Sequence, residues 1–317
     1  VARFLVTGGA GFIGSHLVEA LLERGLEVRV VDDLSTGRLQ NLEPFLDRID
    51  FRESDIRDEA AMRKAVQGVE VVLHQAALPS VQRSVEAPLL VNEVNVGGTL
   101  NLLECARGAG VRRFVYAASS SAYGDSETLP KKETQPPRPK SPYAVTKLVG
   151  EHYCSVYSHV FGLDTISLRY FNVFGPRQDP GSDYAAVIPI FVTRLLAGEA
   201  PTIHGDGDQS RDFTYIENVV EGNLLAAAAQ KGGGAVVNLA CGDRYTLNRL
   251  YATLQELTGT RIEARHGPPR PGDVRHSQAD VAEARRLLGY ETKVSFREGL
   301  KRTVEWFRQE PPTGAEG

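Results

Sequence analysis

The chain has 317 residues, a formal charge of −4 and charged residues scattered without long runs. That length suffices for one large domain or two modest ones, and the mildly acidic balance offers no basic face for nucleic acid. No apolar run approaches the ~20 residues of a membrane span, no signal-peptide pattern precedes the first strand, and Cys105, Cys154 and Cys241 are too few and dispersed for a disulfide framework or zinc site. A cytoplasmic protein with reduced thiols and no bound metal is expected.

Arg3 to Thr7 reads as a short apolar strand that runs into Thr7-Gly8-Gly9-Ala10-Gly11-Phe12-Ile13-Gly14, followed by an amphipathic helix through Arg24 that Gly25 stops. This is a dinucleotide fingerprint in its proper setting. Gly9, Gly11 and Gly14 fit Gly-x-Gly-x-x-Gly, whereas Gly8, Gly11 and Gly14 fit a wider-spaced variant, so the glycines leave the subtype open. In either case they permit a tight turn, close approach of a pyrophosphate, and a helix dipole that faces the phosphates. A second strand from Glu27 to Val31 ends in Asp32, eighteen residues after Gly14. A carboxylate there binds adenosine ribose hydroxyls and repels a 2′-phosphate, so NAD is expected over NADP, with Arg38 near enough in sequence to soften the preference.

Ile49 to Arg52, Val69 to Gln75, Arg113 to Ser119 and Asp164 to Tyr170 predict further strands, separated by helical segments such as Glu59 to Gln67 and Val96 to Arg107. Strands alternating with helices mean a parallel sheet wrapped by helices. Ala118-Ser119-Ser120-Ser121-Ala122-Tyr123 follows the fifth strand, at the carboxyl edge where such sheets bind ligands. Downstream, Ser141-Pro142-Tyr143-Ala144-Val145-Thr146-Lys147 starts a helix with Ser141 as cap and Pro142 at its first position. Tyr143 and Lys147, four residues apart, share one helix face. An ammonium in hydrogen-bonding range lowers a tyrosine pKa by roughly 1 to 3 units, and a cationic cofactor lowers it further, so this pair is expected to work as a general base near neutral pH.

After Tyr170 the regularity weakens. Helices are expected at Val187 to Ala197, Ile216 to Ala229, Leu247 to Thr258 and Asp280 to Leu288, with a strand returning at Val236 to Ala240. The expected fold is α/β, a Rossmann-type doubly wound parallel sheet with a smaller C-terminal substrate-binding domain. Its boundaries are residues 1–171 plus about 212–245 for the NAD-binding part, 172–211 and 246–308 for the substrate part, and a flexible tail at 309–317.

With Thr-Gly-Gly-Ala-Gly-Phe-Ile-Gly, the serine run and Tyr-x-x-x-Lys in this order, the chain resembles the extended short-chain dehydrogenase/reductase family, nucleotide-sugar branch, up to the tail. The resemblance implies that Ser119 is the catalytic hydroxyl, Tyr143 the base, and Lys147 the residue that lowers the tyrosine pKa and bonds the nicotinamide ribose. It implies cofactor contacts from Gly8, Gly11, Phe12, Ile13 and Gly14, from Asp32 and Asp33, from Asp55 and Ile56 at the adenine, from Ala76, and from Asn95, which supports the active site.

Family 4,6-dehydratases place Asp-Glu after the catalytic hydroxyl, and decarboxylases place Glu at the second position; here Ser120 and Ser121 stand there. What the resemblance leaves is 4-epimerisation of a UDP-sugar: oxidation at C4, rotation of the 4-keto sugar, and return of the hydride to its other face. Substrate contacts implied are Ser119, Ser120, Ser121 and Tyr143. Asn172 is implied at the diphosphate, Arg211 and Arg270 at phosphate, and Asp273 at the uridine ribose. Ser277 stands where glucose-specific relatives carry a tyrosine, which leaves room for a 2-acetamido group. UDP-N-acetylglucosamine and UDP-N-acetylgalactosamine are therefore the expected pair, with UDP-glucose and UDP-glucuronate 4-epimerases, or an NAD(H)-sensing protein on the same fold, as alternatives. The family resemblance also implies a homodimer formed through the helices containing Leu100 to Cys105 and Lys147 to Tyr157.

Overall fold

The computed structural model describes residues 3–181, 186–269 and 274–310. Its first half alternates β1 (Arg3–Thr7), α1 (Phe12–Glu23), β2 (Glu27–Asp32), β3 (Asp50–Glu53), α2 (Glu59–Ala65) and β4 (Val71–His74). Two short helices, α3 (Val81–Glu86) and α4 (Pro88–Asn92), precede a wide turn at Glu93–Gly98 and then α5 (Thr99–Gly108), β5 (Arg113–Ser119), α6 (Pro142–Phe161) and β6 (Asp164–Tyr170). The second half contains β7 (Asn172–Phe174), α7 (Val187–Leu196), β8 (Thr202–His204), β9 (Ser210–Arg211), β10 (Phe213–Tyr215) and α8 (Ile216–Ala228). It closes with β11 (Ala235–Leu239), β12 (Tyr245–Thr246), α9 (Leu247–Thr258), β13 (Arg265–Gly267), α10 (Ala282–Leu288) and α11 (Phe296–Gln309).

Seven strands form one parallel sheet in the order β11-β6-β5-β4-β1-β2-β3. Successive residues of a strand face opposite sides, so Phe4 and Val6 of β1 enter one apolar layer while Leu5 enters the other. Both faces are covered, which is why β4 opens Val-Val-Leu and every one of its residues is buried. The layer beneath α1 and α8 continues into α7, α9 and α11; the opposite layer is closed by α2, α5 and α6. From β1 the chain winds outward through β2 and β3, then crosses back to β4 on the other side. That reversal opens a crevice at the carboxyl ends of β1 and β4.

The expected strands at Arg3 to Thr7, Arg113 to Ser119 and Asp164 to Tyr170 and the helix at Leu247 to Thr258 match residue for residue, and the other expected elements shift by one to three residues at their ends. The helix expected from Asp280 starts at Ala282, because the Asp280 N–H donates to the Lys131 carbonyl (2.8 Å) and its carboxylate accepts from the Ala282 N–H (2.9 Å). Gln309, expected in a loose tail, is the last residue of α11; residues 311–317 lie outside the described part. Among the described residues no helix is long and apolar enough to cross a membrane.

Candidate active site

A cavity of about 680 Å³ occupies the crevice. Gly8 makes the turn into it at φ +69°, a conformation that favours glycine, and a Cβ on Gly14 would collide with the Gly8 carbonyl. No side chain caps α1, whose first residues Phe12, Ile13 and Gly14 line the cavity together with Gly8 and Gly11. The N–H groups of that first turn therefore remain available to an anion. Asp32 lies at the end of β2, its carboxylate accepting from the Ala10 and Leu34 N–H groups (both 2.9 Å). Burial raises its pKa, and these two bonds oppose the rise. The bare helix start, the glycine turn and the carboxylate at the end of β2 fit NAD in donor type.

Asp33, Ile56 and Ala76 also line the cavity, along with Ser54, Gln75 and Leu78, which the sequence reading did not single out. Asp55 sits between the lining residues Ser54 and Ile56, and Arg57 holds its carboxylate at 2.5 Å and keeps its pKa low. Asn95 is buried in the wide turn before α5, where its Oδ1 accepts from the Leu78 N–H (2.8 Å) and its Nδ2 donates to Thr146 (3.1 Å). It supports the cavity wall by positioning Leu78, and a helix wound one residue wide is a common device at such sites.

Tyr143 and Lys147 line the opposite end of the same cavity, beside Ala117, Ala118 and Tyr170. Ser141 caps α6 by accepting from the Ala144 N–H (3.1 Å), and Pro142 fills the first helical position, so the first turn is rigid where Tyr143 projects. The Ser119 hydroxyl at the end of β5 stands close enough to Tyr143 to hold its pKa down in part. Ser121 donates both its hydroxyl (2.8 Å) and its N–H (3.2 Å) to the Ser119 hydroxyl, so it positions Ser119. Ser120 begins the short turn after β5.

The expectation of a depressed Tyr143 pKa is reversed in the protein alone. Burial raises Tyr143, with the nearby Ser119 hydroxyl a partial offset, and pulls Lys147 down to about 8. The Lys147 ammonium donates to the Ala117 carbonyl (2.9 Å). A low-polarity pocket favours the neutral form of both groups, and a cationic cofactor ring is the remaining source of a stable phenolate.

A buried chain of polar groups underlies this centre. Thr7 Oγ1 meets His74 Nδ1 (2.7 Å), His74 Nε2 meets Thr99 Oγ1 (2.9 Å), and Thr99 donates to the Asn95 carbonyl (2.6 Å). Thr146, bonded to Asn95, donates in turn to the Tyr143 carbonyl (2.8 Å). Burial drives the His74 pKa down to about 3, so the ring is neutral. Nothing in the local sequence around His74 signals this role, because its partners come from β1 and α5.

The candidates from the second half converge beyond β6. Ser119 and Tyr170 are register partners, and Asn172 follows two residues later with its N–H on the Asp212 carbonyl (3.1 Å). Asp212 adjoins Arg211, whose guanidinium donates to the Ser210 carbonyl (2.9 Å). The Ser277 N–H donates to that same Ser210 carbonyl (3.0 Å). Asn172, Arg211 and Ser277 thus share one small region, whereas Arg270 and Asp273 lie outside the described residues.

Residues 4–240 match the NAD dependent epimerase/dehydratase family. The chain is 41% identical over 310 residues to the UDP-glucose 4-epimerase of Mycolicibacterium smegmatis, covering 96% of this chain and 98% of that protein. Its structure is similar to that of the UDP-glucose 4-epimerase of Thermotoga maritima with UDP-glucose, at TM-score 0.92 and 43% identity over 97% of this chain and 99% of that one. It is similar also to the UDP-N-acetylglucosamine 4-epimerase of Methanobrevibacter ruminantium in complex with UDP-N-acetylmuramic acid, at TM-score 0.93 and 38% identity over 97% and 98% of the two chains. A glycine turn facing a bare helix start, with Asp32, Tyr143 and Lys147 lining one crevice, accords with these likenesses: the chain belongs to the NAD-dependent epimerase/dehydratase family, within the extended short-chain dehydrogenases/reductases.

Proposed function

We propose that the protein interconverts UDP-N-acetylglucosamine and UDP-N-acetylgalactosamine through a transient 4-keto sugar. The observation that carries epimerisation, as opposed to elimination or decarboxylation, is the commitment of Ser121 to Ser119 at 2.8 Å. Dehydration and decarboxylation draw on a carboxylate beside the catalytic hydroxyl; here two serines occupy those positions, and one serves to orient the other. Tyr143 takes the proton from the C4 hydroxyl and returns it after the sugar has turned, Ser119 holds that hydroxyl, and Lys147 positions the ribose. NAD, when bound, supplies the acceptor for the C4 hydride and the positive charge that Tyr143 needs. No net oxidation occurs, so the nucleotide stays bound through turnover.

Residues 172–211 and 246–308 are the proposed UDP-sugar part, with residues 1–171 and about 212–245 holding NAD. Asn172, Arg211 and Arg270 are assigned to the diphosphate, Asp273 to the uridine ribose. Preference for the acetamido sugar rests on Ser277, a small half-buried residue in the gate position. A second reading, UDP-glucose and UDP-galactose, is favoured by the names of two of the three similar proteins above.

One assay separates these readings: purified protein is offered a panel of UDP-sugars, and both epimers are followed by their anomeric protons. Turnover of the acetamido pair is expected, together with poorer or comparable turnover of the unsubstituted pair, since a filled contact discriminates by only about 1 to 3 kcal/mol. Ser277→Tyr is expected to suppress the acetamido pair while sparing UDP-glucose. Normal handling of UDP-N-acetylglucosamine by that variant would move the gate to another residue, and NAD binding without any turnover would make the protein an NAD(H) sensor.

The active unit is proposed to be a homodimer. Val145, Val149, His152, Val156 and Val160 recur at spacings of three and four along α6, and all but the half-buried Val149 are exposed. Val85 and Leu89, on α3 and α4 packed beside α6, widen this apolar stripe, and a second copy of the same helix face suits it.

A further inference from the structure

The run after β7 reaches back across the fold to the cofactor cavity. Arg177 adopts φ 62° and pairs with Glu19 of α1, Gln178 Nε2 donates to the Val173 carbonyl (3.2 Å), and Asp179 pairs with Arg38 at 2.6 Å. Arg38, Arg177, Gln178 and Asp179 all line the cavity that Asp32 lines.

Arg38 is anchored close to Asp32. Its N–H donates to the Ala10 carbonyl (3.0 Å), the Ala10 N–H donates to Asp32 (2.9 Å), and a Cβ on Gly37 would lie 2.8 Å from the Asp32 carboxylate. An arginine beside the ribose-binding acid is the usual means of accommodating a 2′-phosphate, because a planar guanidinium matches phosphate oxygens. Here the guanidinium is already engaged. Asp179 is itself held in place, its Oδ1 accepting from the Gly181 N–H (2.9 Å) while Oδ2 takes Arg38.

We propose that Asp179 is a cofactor-specificity residue: by binding Arg38 it withholds that guanidinium from a 2′-phosphate and leaves two carboxylates, Asp32 and Asp179, facing one. Selection of NAD is thus divided between an acid on β2 and an acid in the run after β7, so that the same loop lining the cavity also reads the nucleotide. The pair is half-exposed, so its effect is on the ratio of two affinities and not on the fold.

The test equilibrates the full-length native protein, Asp179→Asn, Arg38→Ala and the double variant with mixtures of NAD and NADP, and quantifies the nucleotide retained by each after denaturation. Asp179→Asn is expected to raise the bound NADP-to-NAD ratio about tenfold, the scale of one released charge-assisted contact to phosphate. The double variant is expected to return to the native ratio or below it, because the gain runs through Arg38. Asp179→Ser provides the same reading should the asparagine variant fail to fold. An unchanged ratio in the Asp179 variants, including equal loss of both nucleotides, overturns the proposal, as does a gain that persists without Arg38.

Discussion

Burial moves Tyr143 up and Lys147 down, and both shifts disfavour the charged forms that proton transfer requires. Lys147 has a sign that stability measurements can read. Its ordinary value of 10.5 falls to about 8 in the folded protein, so between those values the unfolded chain holds a proton that the folded chain lacks. Stability from this group therefore rises with pH across that window, and its full cost is present below about 8. Lys147→Met removes the buried charge and keeps most of the packing, at the loss of the bond to the Ala117 carbonyl. The variant is expected to melt several degrees above native protein at pH 7, with the gap closing by pH 10, while turnover falls by about 10²- to 10⁴-fold. Thermal melts at the two pH values check it; a variant that melts lower at both would show that the bond to Ala117 outweighs the desolvation of the charge. His74 offers the contrast of a titratable group kept neutral throughout, which lets it bridge Thr7 and Thr99 without a change of role over the working pH range.

At the scale of elements, the start of α6 joins folding to the proposed chemistry, since one cap fixes both the helix and the proposed base. Ser141→Ala removes the acceptor for the Ala144 N–H and is expected to cost about 1 kcal/mol. With twenty residues and an otherwise buried inner face, α6 will persist, so the melting temperature should drop by a few degrees while kcat falls severalfold and KM holds. An unchanged kcat would mean that Thr146 and Asn95 alone hold Tyr143. The same segment was fully legible in the sequence, because cap, proline and Tyr-x-x-x-Lys are all local signals. β5 and β6 were equally legible, β5 from its run Phe114 to Ala118 and β6 from Ile166, Leu168 and Tyr170 at every second position. Strands such as β9 and β12, two residues each, are shorter than any period that can be read and exist only because they pair with each other. α11 is absent from the expectations although Phe296, Leu300, Val304 and Phe307 repeat at helical spacing among dense Arg and Glu. The Arg38 to Asp179 link had no sequence signal at all, since it depends on which strand end the second-half loop happens to meet.

At the scale of the molecule, the sheet explains the buried surface of α6 and leaves its other face unexplained. Ala144, Lys147, Gly150, Glu151 and Cys154 are buried, Gly150 because the Tyr116 ring leaves no room for a Cβ. On the far side Val160 is 67% exposed, and Leu89 of α4 is 79% exposed. An apolar stripe at spacings of three and four matches the ridges and grooves of an identical helix, so two copies can bury it in one symmetric contact. The first turn that carries Tyr143 belongs to the same helix, which means that pairing would brace Tyr143 from behind. Val160→Glu, at the end of α6 away from Tyr143, places a charge in that contact and is expected to convert a dimer of twice the chain's 34.6 kDa into monomer. Sedimentation of native and variant protein reads the mass, and circular dichroism verifies that both are folded. Native protein that sediments as monomer at micromolar concentration would remove the dimer from the proposal. If the variant is monomeric, folded and slower at saturating substrate, the second copy contributes rigidity to the base; if it is monomeric and fully active, α6 holds Tyr143 through its cap and the Thr146 to Asn95 bond without help from a partner.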